Sequence, residues 1–289
     1  MILCLCLIIA GLPILMTLVF QGDEILLDTD SNEMQHKSSH PDEEEKMAAL
    51  VSILARDIPV TYEEEAIRAQ AVIVRTNYEY ALSQGKAPET GLSVAEQTKL
   101  FGNENYNRYY QKLENCLIDT EGEVLTYQGQ EIEAPYFAVS AEKTRGTELP
   151  YLKSVESIWD ITSEDFLKVE FYDAGELVDT CNQAFPEAGL TAEDWVNTLV
   201  VTEREESGYV KTIQVGNSSV SGEEFRKAFS LNSGCFYIRK IDGRVRIVTK
   251  GLGHGYGLSI YGANEMAKEG KTYQEILSYY YSGIEITKK

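Results

Sequence analysis

The chain has 289 residues, with 46 Asp and Glu against 26 Lys and Arg, and a formal net charge of −20. Binding to a phosphate backbone requires a cationic face, so we expect no nucleic-acid partner for so acidic a chain. Histidine occurs only 3 times and cysteine 5 times, without the spacing of zinc ligands, so we also expect no metal site.

Residues 1–20 carry no charge and are about as long as a helix that crosses a bilayer. We expect an uncleaved transmembrane anchor. A cleaved signal peptide would begin with basic residues, and a buried core helix would carry a polar face, but both alternatives stay open. The flank from Asp23 to Glu45 is acidic, with Lys37 as its one cation, whereas cytoplasmic flanks favour Lys and Arg. We therefore expect a single-pass protein of the cell membrane with its C-terminal domain outside the cytoplasm.

The polar composition of residues 21–46 predicts an acidic, disordered stalk. From Met47 onward the composition becomes globular, and the roughly 240 residues of 47–289 can bury one core, so we expect a single domain there. Cys116, Cys181 and Cys235 lie far apart in the chain. One disulfide is possible outside the cell, but the pairing cannot be read from the sequence.

Four segments fit the capping box that opens a helix, at Thr61–Glu64, Ser93–Glu96, Ser221–Glu224 and Thr272–Glu275. Apolar periodicity predicts helices at 63–84, 105–117, 192–199, 223–229, 262–269 and 273–280. Strands are predicted at 124–127, 132–139, 209–215, 235–241 and 245–250, with hairpin turns at Gln128-Gly129-Gln130 and Asp242-Gly243. The order of helices and hairpins lacks βαβ regularity, so we expect an α+β fold with antiparallel sheet.

The most unusual segment is Lys250–Ala263, in which glycines alternate with other residues around His254. Glycine permits positive φ and close approach of a ligand, and a glycine-rich loop that enters a helix offers free N–H groups. The spacing differs from Gly-x-Gly-x-x-Gly in a βαβ unit, so we expect no dinucleotide or other cofactor. The alternative is a tight connector in which His254 is hydrogen-bonded internally.

A second concentration of polar residues surrounds the strongest predicted helix. Asp57 precedes a proline turn, and Gln70, Arg75 and Thr76 follow along the helix among small apolar neighbours. A polar side chain on a buried helix must find a partner, so these residues either brace a neighbouring loop or line a cleft. Glu63–Glu65, in the first turn, are more simply interpreted as partners of the helix dipole.

These segments resemble the SpoIID/LytB family. Its Glu-Ala-Leu-Lys-Ala-Gln-Ala-Val-Ala-Ala-Arg-Thr motif is matched by Glu65-Ala-Ile-Arg-Ala-Gln-Ala-Val-Ile-Val-Arg-Thr76. Its closing Gly-His-Gly-x-Gly-x-Ser-Gln-x-Gly-Ala motif is matched by Gly253-His-Gly-Tyr-Gly-Leu-Ser-Ile-Tyr-Gly-Ala263. Further matches, in the same order as in the family, are Asp57-Ile-Pro59, Pro150–Ser157, Ser221–Arg226 and the final helix at Tyr273–Tyr281. The resemblance covers about residues 47–285.

The resemblance implies a membrane-anchored lytic transglycosylase that acts on peptidoglycan strands stripped of stem peptides. Such a protein works beside an amidase and a second membrane protein during engulfment of the forespore in sporulation. The catalytic Glu of the family aligns with Asp57, so Asp57 is the implied acid and base. The residues implied to bind or orient glycan are Gln70, Arg75, Thr76, Arg145, His254, Ser259 and Tyr261.

The chain departs from the family pattern around the implied site. Asp57 is one methylene shorter than Glu, and moving a carboxyl by about 1 Å can cost on the order of a hundredfold in rate. Ile260 replaces the Gln of the closing motif, and Phe137–Lys143 lacks the His with which some relatives build a metal site. Two alternatives to the enzyme therefore stay open: a relative that holds glycan or recruits an amidase without cleaving, and a purely structural membrane-anchored domain.

Overall fold

A computed structural model gives the fold of residues 41–289. The predicted anchor at 1–20 and the predicted stalk from 21 to 40 lie outside the described residues. No helix in the described part is long and apolar enough to cross a membrane. The first described helix begins at Pro41, so residues 41–46, predicted as stalk, are helical. Proline suits the first turn of a helix, and Asp42, Glu43 and Glu44 complement its positive end.

The fold is α+β, as predicted, and its sheets are antiparallel apart from one short parallel pairing. The helices are α1 (Pro41–Asp57), α2 (Glu64–Ser83), α3 (Val94–Phe101), α4 (Tyr106–Asp119), α5 (Ala174–Ala184), α6 (Trp195–Thr198), α7 (Gly222–Ala228), α8 (Ile260–Lys268) and α9 (Tyr273–Tyr280), with a 3₁₀ helix at Ile158–Thr162. The strands are β1 (Glu123–Tyr127), β2 (Gln130–Glu131), β3 (Tyr136–Phe137), β4 (Leu167–Tyr172), β5 (Leu199–Arg204), β6 (Val210–Val215), β7 (Ser218–Ser221), β8 (Cys235–Ile241), β9 (Arg244–Lys250), β10 (Leu258–Ser259) and β11 (Glu285–Lys288).

Two regions have separate apolar cores. The groove region comprises residues 41–162 and 254–289, and its centre is α2, which is buried from Ala66 to Thr76 and packs against α1, α4, α8, α9 and β1. The small and β-branched side chains on α2 let these neighbours approach closely. The sheet region comprises residues 163–253 and holds two three-stranded sheets, β4-β9-β8 and β5-β6-β7, around a stack of Phe225, Phe229 and Phe236.

The capping boxes at Ser93, Ser221 and Thr272 are confirmed, but the one at Thr61 is wrong. Helix α2 begins after Glu63, which makes no side-chain cap. Instead the backbone N–H of Glu63 donates to Asn264 Oδ1 of α8 at 2.9 Å. A tertiary partner thus accepts from the N-cap N–H, which donates to the carboxylate of the N3 glutamate in the capping boxes at Ser93, Ser221 and Thr272.

Both predicted hairpin turns are confirmed, with positive φ at Gln128 and Gly129 and at Asp242 and Gly243, as a type I′ turn requires. The predicted strand at 132–139 is reduced to β3, because only Tyr136 and Phe137 pair in a ladder, with β10. The predicted helix at 192–199 is reduced to the single turn Trp195–Thr198.

The cysteine thiols are a further finding. Cys116, Cys181 and Cys235 are buried and free, so the disulfide that the sequence left open is absent among the described residues. Burial raises the pKa of Cys116 to about 11 and that of Cys181 to about 12. Each thiol therefore stays protonated and packs as a small apolar group.

Candidate functional site

A groove of about 810 Å³ opens at the C-terminal end of α1. One wall carries Asp57 and the turn that follows it, and the opposite wall carries Ile260 and Tyr261 at the start of α8. Aromatic side chains form much of its surface: Tyr62, Phe101, Tyr109, Tyr136, Phe137 and Tyr261. The predicted catalytic residue Asp57 and the predicted binding residue Tyr261 therefore line one groove.

The Asp57 carboxyl is only 5% exposed and is held by two neighbours. The Tyr136 hydroxyl donates to Oδ2 at 2.5 Å, and Arg56 Nε donates to Oδ1 at 2.7 Å. Arg56 also reaches Glu89 at 2.6 Å and the Thr90 carbonyl at 2.7 Å, which ties the segment before α3 to the end of α1. The carboxyl thus has a fixed orientation at the edge of the groove.

Burial raises the pKa of Asp57 above its usual value, while the hydrogen bonds from Arg56 and Tyr136 oppose that rise. Burial also raises the pKa of Tyr136, so the phenol keeps its proton and remains a donor. A carboxyl whose pKa is raised holds its proton to higher pH than an exposed Asp does, which is a requirement for a general acid.

Arg56 and Tyr136 are site residues that the sequence reasoning missed. Arg56 directly precedes the matched segment Asp57-Ile-Pro59, and Tyr136 lies in a segment predicted only as strand. Tyr136 reaches Asp57 because β3 pairs in parallel with β10, which places the start of β3 beside the end of α1. That long-range pairing has no local signal in the sequence.

The wall opposite Asp57 is fixed by a buried carboxyl, Asp160 of the 3₁₀ helix. Asp160 Oδ2 accepts from Ser157 at 2.5 Å and from Ser140 at 2.8 Å, and Oδ1 accepts from Ser259 at 2.7 Å. Ser259 caps α8 through the Gly262 N–H at 3.3 Å. The predicted residue Ser259 is therefore buried behind the groove, where it positions Ile260 and Tyr261, and Asp160 is a second residue that sequence reasoning missed.

His254 lies beside the groove wall and does not line the groove. Its ring stacks between Phe137 and Tyr256, with centroid distances of 5.7 and 5.8 Å, and Nδ1 accepts from the Tyr256 N–H at 3.0 Å. Burial lowers the pKa of His254, and a hydrogen bond with the backbone of Tyr136 partly opposes this. In this structure His254 is therefore hydrogen-bonded within its own loop, which is the alternative that the sequence left open.

Arg145 joins the two regions and does not line the groove. Its guanidinium pairs with Glu205 of the sheet region, donates to the His254 carbonyl at 3.3 Å and lies over the rings of Tyr209 and Tyr256. Its backbone N–H donates to the Gly255 carbonyl at 2.7 Å. Arg145 therefore holds the glycine-rich loop in place.

The three predicted binding residues on α2 lie in the core. Arg75 donates to the carbonyls of Leu117 at 2.7 Å and Thr120 at 2.6 Å, at the end of α4. Thr76 Oγ1 accepts from the Leu125 N–H of β1 at 2.9 Å. Both brace neighbouring elements, one of the two roles left open. Gln70 is fully buried, and neither polar atom of its side chain has a hydrogen-bond partner among the described residues.

Within residues 41–289 no group of three or more His, Cys, Asp or Glu side chains is arranged to hold a metal ion.

Comparison with known proteins identifies the family of the chain. Residues 45–127 match the family model SpoIID, described as stage II sporulation protein. The chain is 31% identical over 258 residues to stage II sporulation protein D of Bacillus subtilis (strain 168), covering 82% of this chain and 73% of that protein. The chain belongs to the SpoIID family.

Other members extend the comparison. Stage II sporulation protein D of Bacillus amyloliquefaciens is 30% identical over 258 residues, covering 82% of this chain and 73% of that protein. A protein of Bacillus subtilis (strain 168) named amidase enhancer is 23% identical over 293 residues, covering 82% of this chain but 40% of its own length. The SpoIID relatives are sporulation proteins, and the family model ends at β1, so it includes Asp57 but not the opposite wall of the groove.

Proposed function

We propose that the chain is a membrane-anchored lytic transglycosylase that cleaves peptidoglycan strands lacking stem peptides. The observation that carries the proposal is the Asp57 carboxyl, buried at the edge of an aromatic groove with its pKa raised by burial. The amidase enhancer among its relatives supports work beside an amidase, and the apolar residues 1–20 support an extracytoplasmic position on the cell membrane.

One carboxyl is sufficient for this reaction. Protonated Asp57 gives its proton to the glycosidic oxygen as the C1–O bond breaks, and the aglycone leaves as an alcohol. The resulting carboxylate takes the proton of the sugar's own 6-hydroxyl, whose oxygen bonds to C1 and closes an anhydro ring. Asp57 ends protonated, no water is consumed, and no second carboxyl is needed, in contrast to hydrolysis.

The two neighbours of Asp57 serve different steps. The Arg56 guanidinium and the Tyr136 hydroxyl stabilise the carboxylate after it has lost its proton. Burial favours the protonated form and so prepares the first step. The flat aromatic surfaces provide apolar area against which sugar rings can lie.

The same geometry supports a second candidate, a module that binds glycan without cleaving it. Both Asp57 oxygens already accept hydrogen bonds from the protein, so the carboxyl reaches substrate only when one of these donors moves away. The aromatic walls would hold a glycan strand whether or not Asp57 reacts.

One experiment separates the candidates. The purified full-length chain is incubated with amidase-treated peptidoglycan, and anhydro-muramic ends are measured by mass spectrometry. We expect such ends from the wild type, their loss in Asp57→Asn, and their retention in Asp165→Asn, which removes an exposed carboxyl lining the same groove. Circular dichroism checks that each variant is folded.

Each outcome distinguishes the enzyme from the binding module or tests the role of Asp57. If the wild type forms no anhydro ends but is retained on the glycan, the binding module is correct. If Asp57→Asn keeps forming ends, the chain is an enzyme and the assignment of Asp57 is wrong. The Asp57→Glu variant tests the shorter side chain, since a faster reaction would show that the missing methylene limits the rate.

A further inference from the structure

One face of the β4-β9-β8 sheet turns away from the core of the sheet region. The opposite face packs on that core through Phe236, Val245 and Ile247. On the outward face β4 presents Leu167, Val169 and Phe171, which are 52%, 45% and 48% exposed. Soluble proteins usually place charged side chains on edge strands, whereas β4 is an edge strand whose exposed row is apolar.

The register continues this apolar surface across the sheet. Val169 lies opposite Val248, and Val248 lies opposite Tyr237, so one cross-strand row is wholly apolar and aromatic. Tyr237 is also exposed, and the Arg204 guanidinium lies 4.3 Å from its ring centroid.

The next row across the same face is cationic. Arg239 lies directly opposite Arg246, with Phe171 as the third member of the row. Like charges opposite each other in a sheet are destabilising. Among the described residues neither arginine has a carboxylate within ion-pair distance, although the chain has 46 Asp and Glu against 26 Lys and Arg. By contrast, the neighbouring Arg244 and Lys250 pair with Asp173 and Glu142.

We propose that this outward face is a docking surface for a partner protein that presents an apolar strand flanked by Asp or Glu. The apolar row would be covered, and the partner's carboxylates would supply the counter-charge that Arg239 and Arg246 lack. Arginine and aromatic residues beside an apolar centre are the composition typical of protein interfaces.

The free edge of β4 favours a protein over a lipid or a glycan. Among the described strands β4 pairs only with β9, so one side of its backbone has no strand partner. A protein segment can pair with that edge through its own backbone while neighbouring residues of the same partner cover the face. The net charge of −20 also opposes an anionic membrane, whereas a local acidic segment needs to match only this patch.

The first test uses the purified full-length chain and a synthetic Glu and Val peptide of repeating Val-Ser-Glu-Ser, which in an extended strand places Val and Glu on the same face. We expect binding that weakens with added salt, and at least a roughly tenfold loss of affinity in the Arg239→Glu/Arg246→Glu variant. Lys227→Glu is the matched control, because it reverses an exposed cation of the same region on α7. We expect its affinity to equal that of the wild type.

The apolar row is tested in the same way. Val169→Ser should weaken peptide binding, whereas Val200→Ser, at a similarly exposed valine of the other sheet, should not. A peptide in which Glu and Ser alternate should bind more weakly than the Glu and Val peptide. No binding of the Glu and Val peptide, or equal losses in the variants and their controls, would overturn the proposal.

Two further measurements separate other occupants. If phosphatidylglycerol vesicles, but not the peptide, bind the chain and release it on Arg239→Glu/Arg246→Glu, the face contacts a membrane and the proposal is wrong. If sedimentation shows a dimer that Val169→Ser dissociates, the occupant is a second copy of this chain and the proposal is again wrong. Neither result depends on the chemistry of the groove.

Discussion

The groove region and the sheet region handle buried charged side chains differently. In the groove region Asp160 accepts from three serine hydroxyls, and Arg75 donates to two carbonyls of α4. In the sheet region Glu170 Oε2 and Arg246 Nε are buried without a hydrogen-bond partner among the described residues. A row that contains Arg239 and Arg246 and an apolar row lie on the same face of one sheet. The groove walls are therefore held in fixed positions by paired groups, whereas the sheet region presents an apolar and cationic face to its surroundings.

The first prediction concerns the junction of β10 and β3 in the groove region, where the backbone leaves no room for a side chain. Gly257→Ala places a Cβ 1.8 Å from the Pro135 carbonyl oxygen, at a φ of +77°, where β10 joins β3. We expect the free energy of unfolding to fall by about 3–5 kcal/mol, from left-handed strain and overpacking together. Urea denaturation measures the loss.

The matched control is Gly243→Ala in the β8–β9 turn of the sheet region. Its φ is +79°, but no atom lies within 4 Å of the added Cβ. Only the left-handed strain remains, at about 1–2 kcal/mol. Equal losses for the two variants would show that left-handed strain alone matters and that the close Pro135 carbonyl adds nothing.

The second prediction concerns the buried carboxyl behind the groove. Asp160→Ala leaves the hydroxyls of Ser140, Ser157 and Ser259 without their acceptor, at about 1–3 kcal/mol for each group that stays unpaired. We expect unfolding free energy to fall by about 3 kcal/mol, measured by urea denaturation. Asp165→Ala, at an exposed residue of the groove, should change it by less than about 0.5 kcal/mol.

The third prediction tests how tightly the two regions are joined. A double-mutant cycle of Arg145→Ala and Glu205→Ala should give a coupling energy of about 2 kcal/mol, because this pair is largely buried and hydrogen-bonded. The exposed pair Lys211 and Glu203, within the sheet region, should give a much smaller coupling energy, because solvent screens it. A coupling for Arg145 and Glu205 as small as that of the exposed pair would mean that the regions are joined mainly by backbone contacts.

Local sequence signals predict the helices of the groove region, but they do not predict which side chains line the groove. The capping boxes at Ser93 and Thr272 and the period of α2 depend on neighbours in sequence, and they fix helices. Tyr136 on Asp57 and Asp160 on Ser259 are contacts between residues far apart in the chain, set by the β3–β10 pairing and by the packing of α8. The family resemblance supplied Asp57 but could not distinguish residues that brace the fold from residues that line the groove.

For a related reason, the sequence predicts fewer strands in the sheet region than the structure contains. β4, β5 and β7 lie at sheet edges with exposed or half-buried residues, so their apolar and polar positions do not alternate in the usual sense. In β4 the apolar residues face outward and Lys168 and Glu170 face inward. A pattern search that assumes apolar residues point to the core misses such a strand.

The smallest expected effect separates Asp57 from Asp160. Burial raises the pKa of Asp57 above the ordinary 3.8, so the folded state holds this proton where the unfolded state has lost it. Stability must therefore fall as the pH rises from about 3.8 through the raised value. Asp57→Asn removes this contribution, and we expect it to raise the unfolding free energy at neutral pH and to flatten its decline with pH. Urea denaturation at several pH values, with Asp165→Asn as control, measures both effects.

The direction in which Asp57→Asn changes the unfolding free energy distinguishes the two buried carboxyls. The pKa of Asp160 is also raised by burial, but its carboxyl is the shared acceptor of three hydroxyls, so removing it must destabilise the fold. Asp57 has donors that can turn towards solvent, since Arg56 is partly exposed. A buried carboxyl whose removal stabilises the protein while ending its activity is kept for chemistry and not for folding. If Asp57→Asn destabilises the protein as strongly as Asp160→Ala does, Asp57 is a structural residue and its assignment as the general acid is wrong.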